Sequence, residues 1–243
     1  MELNEKSRIT AIHQPSFLPW LGFFNKITAS DKFVILDNVQ FPKTGGYWAN
    51  RVKIIITGKA EWITIPINRN YSGTKNINEI EIDNSKNWNV KILRSIESNY
   101  RKAPHFEKVF PLIKDTLGNP GNSLIDLNLQ IIFNLCSLLE IKTDHIVRAS
   151  EIAAEGSSTD LLVSIVKHTG SDSYMCGGGA SKYQEDHKFE SAGIHLIYQN
   201  FKHPVYPQFN TLEFEAGLSV IDAIMNCGFE QTRKLITGNT PAK

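Results

Sequence analysis

Four short segments hold side chains whose types and spacing could do chemistry. The first is His13-Gln14-Pro15-Ser16-Phe17-Leu18-Pro19-Trp20-Leu21-Gly22. Here an imidazole and an amide stand where an apolar run ends, ahead of two prolines that exclude regular helix. Such a His suits proton transfer or contact with an anionic ligand, and Trp20 is a candidate binding surface beside it. The same His and Gln could instead satisfy backbone groups of the turn. The second segment runs from Leu36 to Lys43 and on to Arg51, and gathers Asp37, Gln40, Lys43, Asn50 and Arg51 on one connection. Arg and Lys there suit phosphate, and the carboxylate suits an amine or a metal, although exposed loops are polar in any case.

The third segment carries Cys176, then Gly177, Gly178 and Gly179, then Ser181 and Tyr183. Three glycines between a strand and a helix let backbone N–H groups come close to a ligand, though the spacing is neither a P-loop nor a dinucleotide fingerprint. Cys176 is a candidate nucleophile, against the commoner fate of a lone cysteine as a small core residue. The fourth is His203-Pro204-Val205-Tyr206-Pro207-Gln208, whose prolines hold His203, Tyr206 and Gln208 in an extended stretch able to line a pocket. Behind it Ser219 reads as a helix cap that Asp222 completes.

The elements that must position these groups can be read from periodicity. Residues 8–12 and 32–36 are apolar runs of strand length, and Leu18, Leu21, Phe24 and Ile27 keep helical spacing between them, so a βαβ unit opens the chain. Val52–Thr57 and Glu61–Ile65 predict a hairpin around Gly58, and the alternation of Asn78–Ile82 predicts a third strand beside it. Apolar stripes then predict three helices, through Trp88–Tyr100, Phe106–Ile113 and Leu124–Leu138. Strand–helix alternation returns after that, with strands at 145–148, 173–175 and 194–198 and helices at 159–168, 182–192 and 218–227. The expected fold is α/β: a single domain over 1–243, a mostly parallel sheet with flanking helices, and a hairpin and helical insert at about 50–142. Ligands of such sheets bind at the carboxyl ends of the strands, where His13, Asp37, Cys176 and Gln199 fall.

Composition agrees with an ordinary folded protein: 243 residues, 41% hydrophobic and 21% charged, allow a sizeable core. With 26 Lys+Arg against 25 Asp+Glu, no basic excess argues for a nucleic-acid groove. The three cysteines are widely spaced, which predicts neither a disulfide framework nor a metal site. No apolar stretch approaches the roughly 20 residues of a membrane helix, so the chain is expected in the cytoplasm, without membrane insertion.

Together these segments resemble the WbqC-like family, which is met in bacterial surface-polysaccharide gene clusters. The matching pieces are IHQPSFLPWLGFFNKITASDKFVILDNVQFPK, Asn50-Arg51, residues 58–66, CGGGASKY, GIHLIYQNFKHPVYPQ and LSVIDAIMNCG. Where the family more usually carries Asn-Arg-Asn, this chain has Asn50-Arg51-Val52. The opening strand, QPSFLPWLG turn and helix also resemble nucleotidylyltransferase-like folds, but Trp20 and Phe23 stand where those carry paired histidines. An amide-forming ligase of that architecture works through an acyl-adenylate. These resemblances imply amide formation by acyl or aminoacyl transfer to a nucleotide-linked amino sugar. The donor would be activated by ATP, bound as a thioester, or carried on tRNA, the one nucleic-acid partner expected. Two alternatives stand beside it. One is a thiol-dependent acyltransferase using Cys176 with His203 or His13 as base. The other is a non-enzymatic scaffold whose Tyr47, Trp48 and Tyr206 stack on a sugar or base.

Overall fold

Apolar runs placed just before polar loops become the strands of one parallel sheet in the computed structural model, which describes residues 7–45, 47–179 and 184–238. Strand β1 (Ile9–His13) passes through an irregular turn into helix α1 (Leu21–Ala29), and β2 (Lys32–Ile35) returns parallel to β1, with His13 opposite Ile35. The chain then leaves the sheet. Strands β3 (Arg51–Ile56) and β4 (Lys59–Thr64) form an antiparallel hairpin. Its two-residue turn has φ 50° at Thr57 and 81° at Gly58, the left-handed pair that matches strand twist. Helices α2 (Trp88–Tyr100), α3 (Phe106–Gly118) and α4 (Leu124–Leu138) follow. The sheet resumes with β5 (Ile146–Arg148), α5 (Ser158–His168), β6 (Ser173–Cys176), α6 (Asp186–Ser191) and β7 (His195–Tyr198), and α7 (Val220–Thr237) closes the chain.

The sheet order is β5-β2-β1-β6-β7, every neighbouring pair parallel. The chain works outward from β1 through β2 to β5, then crosses back to β6 and β7 on the other side. Strand order therefore reverses between β1 and β6. Connections depart in opposite directions there, which opens a crevice at the carboxyl ends of these two strands.

Alternation along the strands divides the core. Ala11, Phe33, Ile35 and Met175 face the cluster that includes α1, α7, the hairpin and helices α2 to α4. Ile12, Val34, Leu36, Tyr174 and Cys176 face the smaller cluster under α5 and α6. Helices thus cover both faces, as a parallel sheet requires. Gln199 is buried just past β7, where its Nε2 donates to the Gly22 carbonyl and to Asn25 Oδ1 and so fastens the sheet to α1.

Two expectations change, and a third falls partly outside the described residues. Asn78–Ile82 is no strand: Ile77–Glu79 is a 3-10 turn, closed by a Glu79 carboxylate that accepts from the Asn76 N–H at 2.7 Å. Its apolar residues point inward without a partner strand, and the segment makes only isolated bridges, Ile67 with Ile82 and Glu81 with Ser123. The closing helix runs ten residues beyond 227, kinked at Gly228, whose φ of 77° lies outside the helical region. The helix expected from 182 is described only as Asp186–Ser191, since residues 180–183 lie outside the described part.

Candidate functional site

The carboxyl end of β1 is held by the turn that follows it. The Phe17 N–H donates to the Trp48 carbonyl at 2.9 Å, and Leu18 takes φ 43°, a left-handed conformation costly for leucine. The start of α7 clamps that residue: Ser219 Oγ donates to the Leu18 carbonyl at 2.8 Å, and the Val220 N–H to Pro19. Ser219 also caps α7, accepting from the Ile221 N–H. A turn fixed from three sides aims the residues on its two flanks, His13 and Trp20.

His13 Nδ1 lies 2.7 Å from the Gln14 carbonyl oxygen. A carbonyl can only accept, so Nδ1 carries the hydrogen and Nε2 keeps its lone pair. Nε2 has no hydrogen-bond partner among the described residues. The ring meets Phe23 edge-on at 5.0 Å. Burial pushes the imidazole down to about 4, the nearby Lys26 charge adds to this, and the Gln14 bond opposes both. His13 is therefore a neutral imidazole at ordinary pH.

Two cavities meet at His13 and Trp48. The larger is an open cleft of about 670 Å³ lined by His13, Gln14, Lys26, Trp48, Gly177 and Gly179, together with the first turn of α5 and Gln184. The smaller, about 340 Å³, is lined by His13, Ser16, Trp20, Trp48, His203 and Gly217. In it Trp20 stacks on His203 with ring centroids 4.9 Å apart, and Phe201 closes edge-on against both rings. Gly22 makes this arrangement possible, because a Cβ there would stand 2.1 Å from the Trp20 ring. The Gly217 N–H donates to His203 Nδ1 at 3.3 Å, and burial lowers this imidazole as well.

The other anticipated residues separate into distinct places. Gly178 lies on the same glycine turn but does not line the cleft, and Ser181 and Tyr183 fall outside the described residues. Cys176 is 0% exposed, its Sγ 3.7 Å from the Ile197 carbonyl and 3.8 Å from Gln184 Nε2, and burial pushes its thiol up. Asp37 is also 0% exposed: Arg148 Nε donates to it at 2.8 Å, and the Ser150 N–H and Oγ at 2.9 and 2.8 Å. Its lone pairs are spent on tying β2 to the end of β5. Asn50 is buried within the turn before β3, accepting from the Tyr47 N–H and donating to the Ile65 carbonyl. Arg51 lies over the Trp62 ring at 4.2 Å, and Lys43 donates to the Gly73 carbonyl on the surface near exposed Gln40.

Tyr206 and Gln208 turn away from the cleft toward Asp222. That carboxylate, 0% exposed, accepts from Tyr100 Oη at 2.7 Å, Tyr206 Oη at 2.8 Å and Gln208 Nε2 at 3.0 Å. Asp222 therefore anchors the His203–Gln208 segment to α7 and α2 and does not complete the Ser219 cap. Burial raises its carboxyl, and the three donors oppose that.

One cleft residue escaped the sequence reading. Lys26 is 2% exposed, and its Nζ donates to the Ile12 carbonyl at 3.0 Å. Burial pulls its ammonium down to about 8, with the Cys176 thiol opposing. The available signal was α1 itself: a lysine within Leu21-Gly22-Phe23-Phe24-Asn25-Lys26-Ile27 leaves the helix no polar face to carry it. Among the described residues no group of three His, Cys, Asp or Glu side chains could hold a metal ion, and no helix is long and apolar enough to cross a membrane.

Comparison with known proteins places the chain in a family. The model of the WbqC-like protein family matches residues 14–234, so the chain belongs to that family. The uncharacterized protein Rv1507c of Mycobacterium tuberculosis is 27% identical over 223 residues, which span 90% of this chain and 94% of that protein. No solved structure matches the chain.

Proposed function

We propose that this WbqC-like chain is an enzyme of surface-polysaccharide biosynthesis that forms an amide on a nucleotide-linked amino sugar, with the reaction centred on His13. The observation that carries the reading is a neutral imidazole with its tautomer set by Gln14 and its Nε2 unpartnered, in an open cleft where strand order reverses. In the step envisaged, the sugar amine attacks the acyl carbonyl, the C–N bond forms, and the bond to the leaving group breaks. The nitrogen becomes strongly acidic once that bond exists, so an imidazole that is a weak base at rest can still take its proton and pass it to the leaving group. Gly177 and Gly179 line the same cleft, and their N–H groups would serve the oxyanion or a phosphate of the ligand. Gln184 Oε1, a buried acceptor with no partner among the described residues, suits an N–H or O–H of the ligand. The buried, raised thiol of Cys176 favours this imidazole route over a thiol route.

The pair of exposed rings Trp48 and Trp62, 5.2 Å apart with Arg51 over Trp62, supports a second reading, a sugar-nucleotide-binding scaffold without turnover. A thermal-shift panel separates the two. The enzyme reading expects stabilisation by a nucleotide-linked amino sugar and, separately, by one donor class: ATP with a carboxylic acid, an acyl thioester or an aminoacyl-tRNA. Stabilisation by the amino sugar alone supports the scaffold. No shift with any of these ligands overturns both.

A further inference from the structure

Lys26 has three N–H donors and one hydrogen bond among the described residues, to the Ile12 carbonyl. It lines the cleft although it is 2% exposed, and no carboxylate is paired with it among the described residues. An unpaired buried ammonium is costly, and an anionic partner from outside the chain would offset that cost. The same cleft is lined by Ser158 and Thr159, which open the 11-residue helix α5. The first N–H groups of a helix lack partners further back in it and carry the positive end of its dipole. Here those of Asp160 and Leu161 bond to the Ser157 carbonyl, and those of Ser158 and Thr159 have no partner among the described residues. The acidic groups nearby have partners: Lys188 holds both Asp160, in the first turn of α5, and Glu185, each at 3.0 Å, and Asp186 accepts from Gln184 Nε2 and Tyr198 Oη. The glycine turn lines the same cleft, where Gly177 and Gly179 bring backbone to the cavity.

We infer that Lys26, the first turn of α5 and the Gly177–Gly179 turn together form a phosphate-group site at the carboxyl ends of β1 and β6. An array of backbone N–H donors around one ammonium suits the several oxygens of a phosphoryl group better than the two of a carboxylate. The inference does not depend on the amide chemistry proposed above, since any phosphorylated ligand of the cleft would use it.

The test is a titration of the whole chain with inorganic phosphate and pyrophosphate at pH 7 and constant ionic strength, with acetate as the carboxylate arm. Thermal shift and calorimetry serve as readouts, and the variants are Lys26→Met, Lys26→Arg and, as an exposed control, Lys59→Met. The site predicts stabilisation of the wild type and of Lys59→Met by phosphate or pyrophosphate. Lys26→Met should bind on the order of tenfold more weakly or worse, as expected for losing a charge-assisted bond, with partial recovery in Lys26→Arg. Without ligand, Lys26→Met should melt at or above the wild-type temperature. Equal phosphate binding in Lys26→Met and wild type overturns the proposal. So does stabilisation by acetate that matches phosphate, or no phosphate effect on the wild type, a result that needs no variant to fold. Should Lys26→Met fail to fold, Lys26→Gln carries the same comparison.

Discussion

The Gln14 carbonyl accepts the Nδ1 hydrogen of His13 at 2.7 Å, and this bond between adjacent residues decides which imidazole nitrogen can act as a base. Because Gln14 uses its backbone, the device survives replacement of its side chain. His13 itself cannot be replaced without losing the lone pair on Nε2. Loss of a general base typically lowers rate by about 10²–10⁴-fold. His13→Gln should lower turnover by that order and leave Tm nearly unchanged, while Gln14→Ala should keep the tautomer and retain most activity. Unfolding of His13→Gln would assign the ring to structure instead.

The pH dependence of stability follows from the same residue. Its folded value of about 4 lies below the ordinary 6.5, so the native state resists protonation. That contribution is complete above about pH 6.5 and is lost as pH falls through about 4. Denaturant melts at pH 7.5, 5.5 and 4.5 should show wild type losing more stability on acidification than His13→Gln. Parallel profiles would mean that the imidazole is more easily protonated in the fold than its surroundings imply.

Lys26 titrates with the same sign at higher pH. Its folded value of about 8 against 10.5 means that the neutral amine is favoured in the fold. The contribution is complete above about pH 10.5, is lost as pH falls through about 8, and leaves a penalty on the order of 3 kcal/mol at pH 7. Lys26→Met should gain part of that at pH 7, less the bond to Ile12, and lose the advantage above pH 10. A Lys26→Met that is less stable at both pH values contradicts the account.

Structural roles are assigned to two buried carboxylates, and each has its own test. Asp37→Asn weakens the tie from Arg148 and leaves the Ser150 donors poorly matched, which should cost about 3 kcal/mol in chemical denaturation. Tyr100→Phe removes the hydroxyl that donates to Asp222 and accepts from the Ile55 N–H, leaving two buried groups under-satisfied, for about 2–4 kcal/mol. Loss of turnover in Asp37→Asn at unchanged stability would return Asp37 to the reaction centre.

Cys176 and Gly22 give two further contrasts. A thiol reagent should label Cys227 first, because Cys176 is wholly buried and its thiol is raised, and Cys176→Ser should keep activity. Gly22→Ala must displace the Trp20 ring from His203, changing tryptophan fluorescence and the smaller cavity with little change in global stability.

The strands and their order of appearance were legible because RITAI and KFVIL are apolar runs ending on polar turns, and a parallel sheet buries such runs on both faces. His13, Gln14, Trp20 and His203 followed from that, since strand ends and proline turns are local features. Residues whose partners lie far along the chain were not legible. Tyr206 and Gln208 look like pocket residues until Asp222, on α7, is seen to hold them. Asp37 looks available until Arg148 and Ser150 arrive from β5 and the residues after it. The alternation at Asn78–Ile82 fits strand or turn equally well, and the absence of a neighbouring strand edge decided it. Lys26 was hidden by the stripe that surrounds it, because periodicity marks what packs and ignores a single cation within the pattern.

The central claim is that an amide forms in the cleft at His13, and mass spectrometry of a single-turnover mixture tests it most directly. Wild-type protein would be mixed with a nucleotide-linked amino sugar and each donor class in turn: ATP with a carboxylic acid, an acyl thioester, and an aminoacyl-tRNA. The account predicts the mass of the N-acylated sugar nucleotide with one donor, formed about 10²–10⁴-fold more slowly by His13→Gln. No acylated product from any donor, or product formed equally fast by His13→Gln, would contradict it.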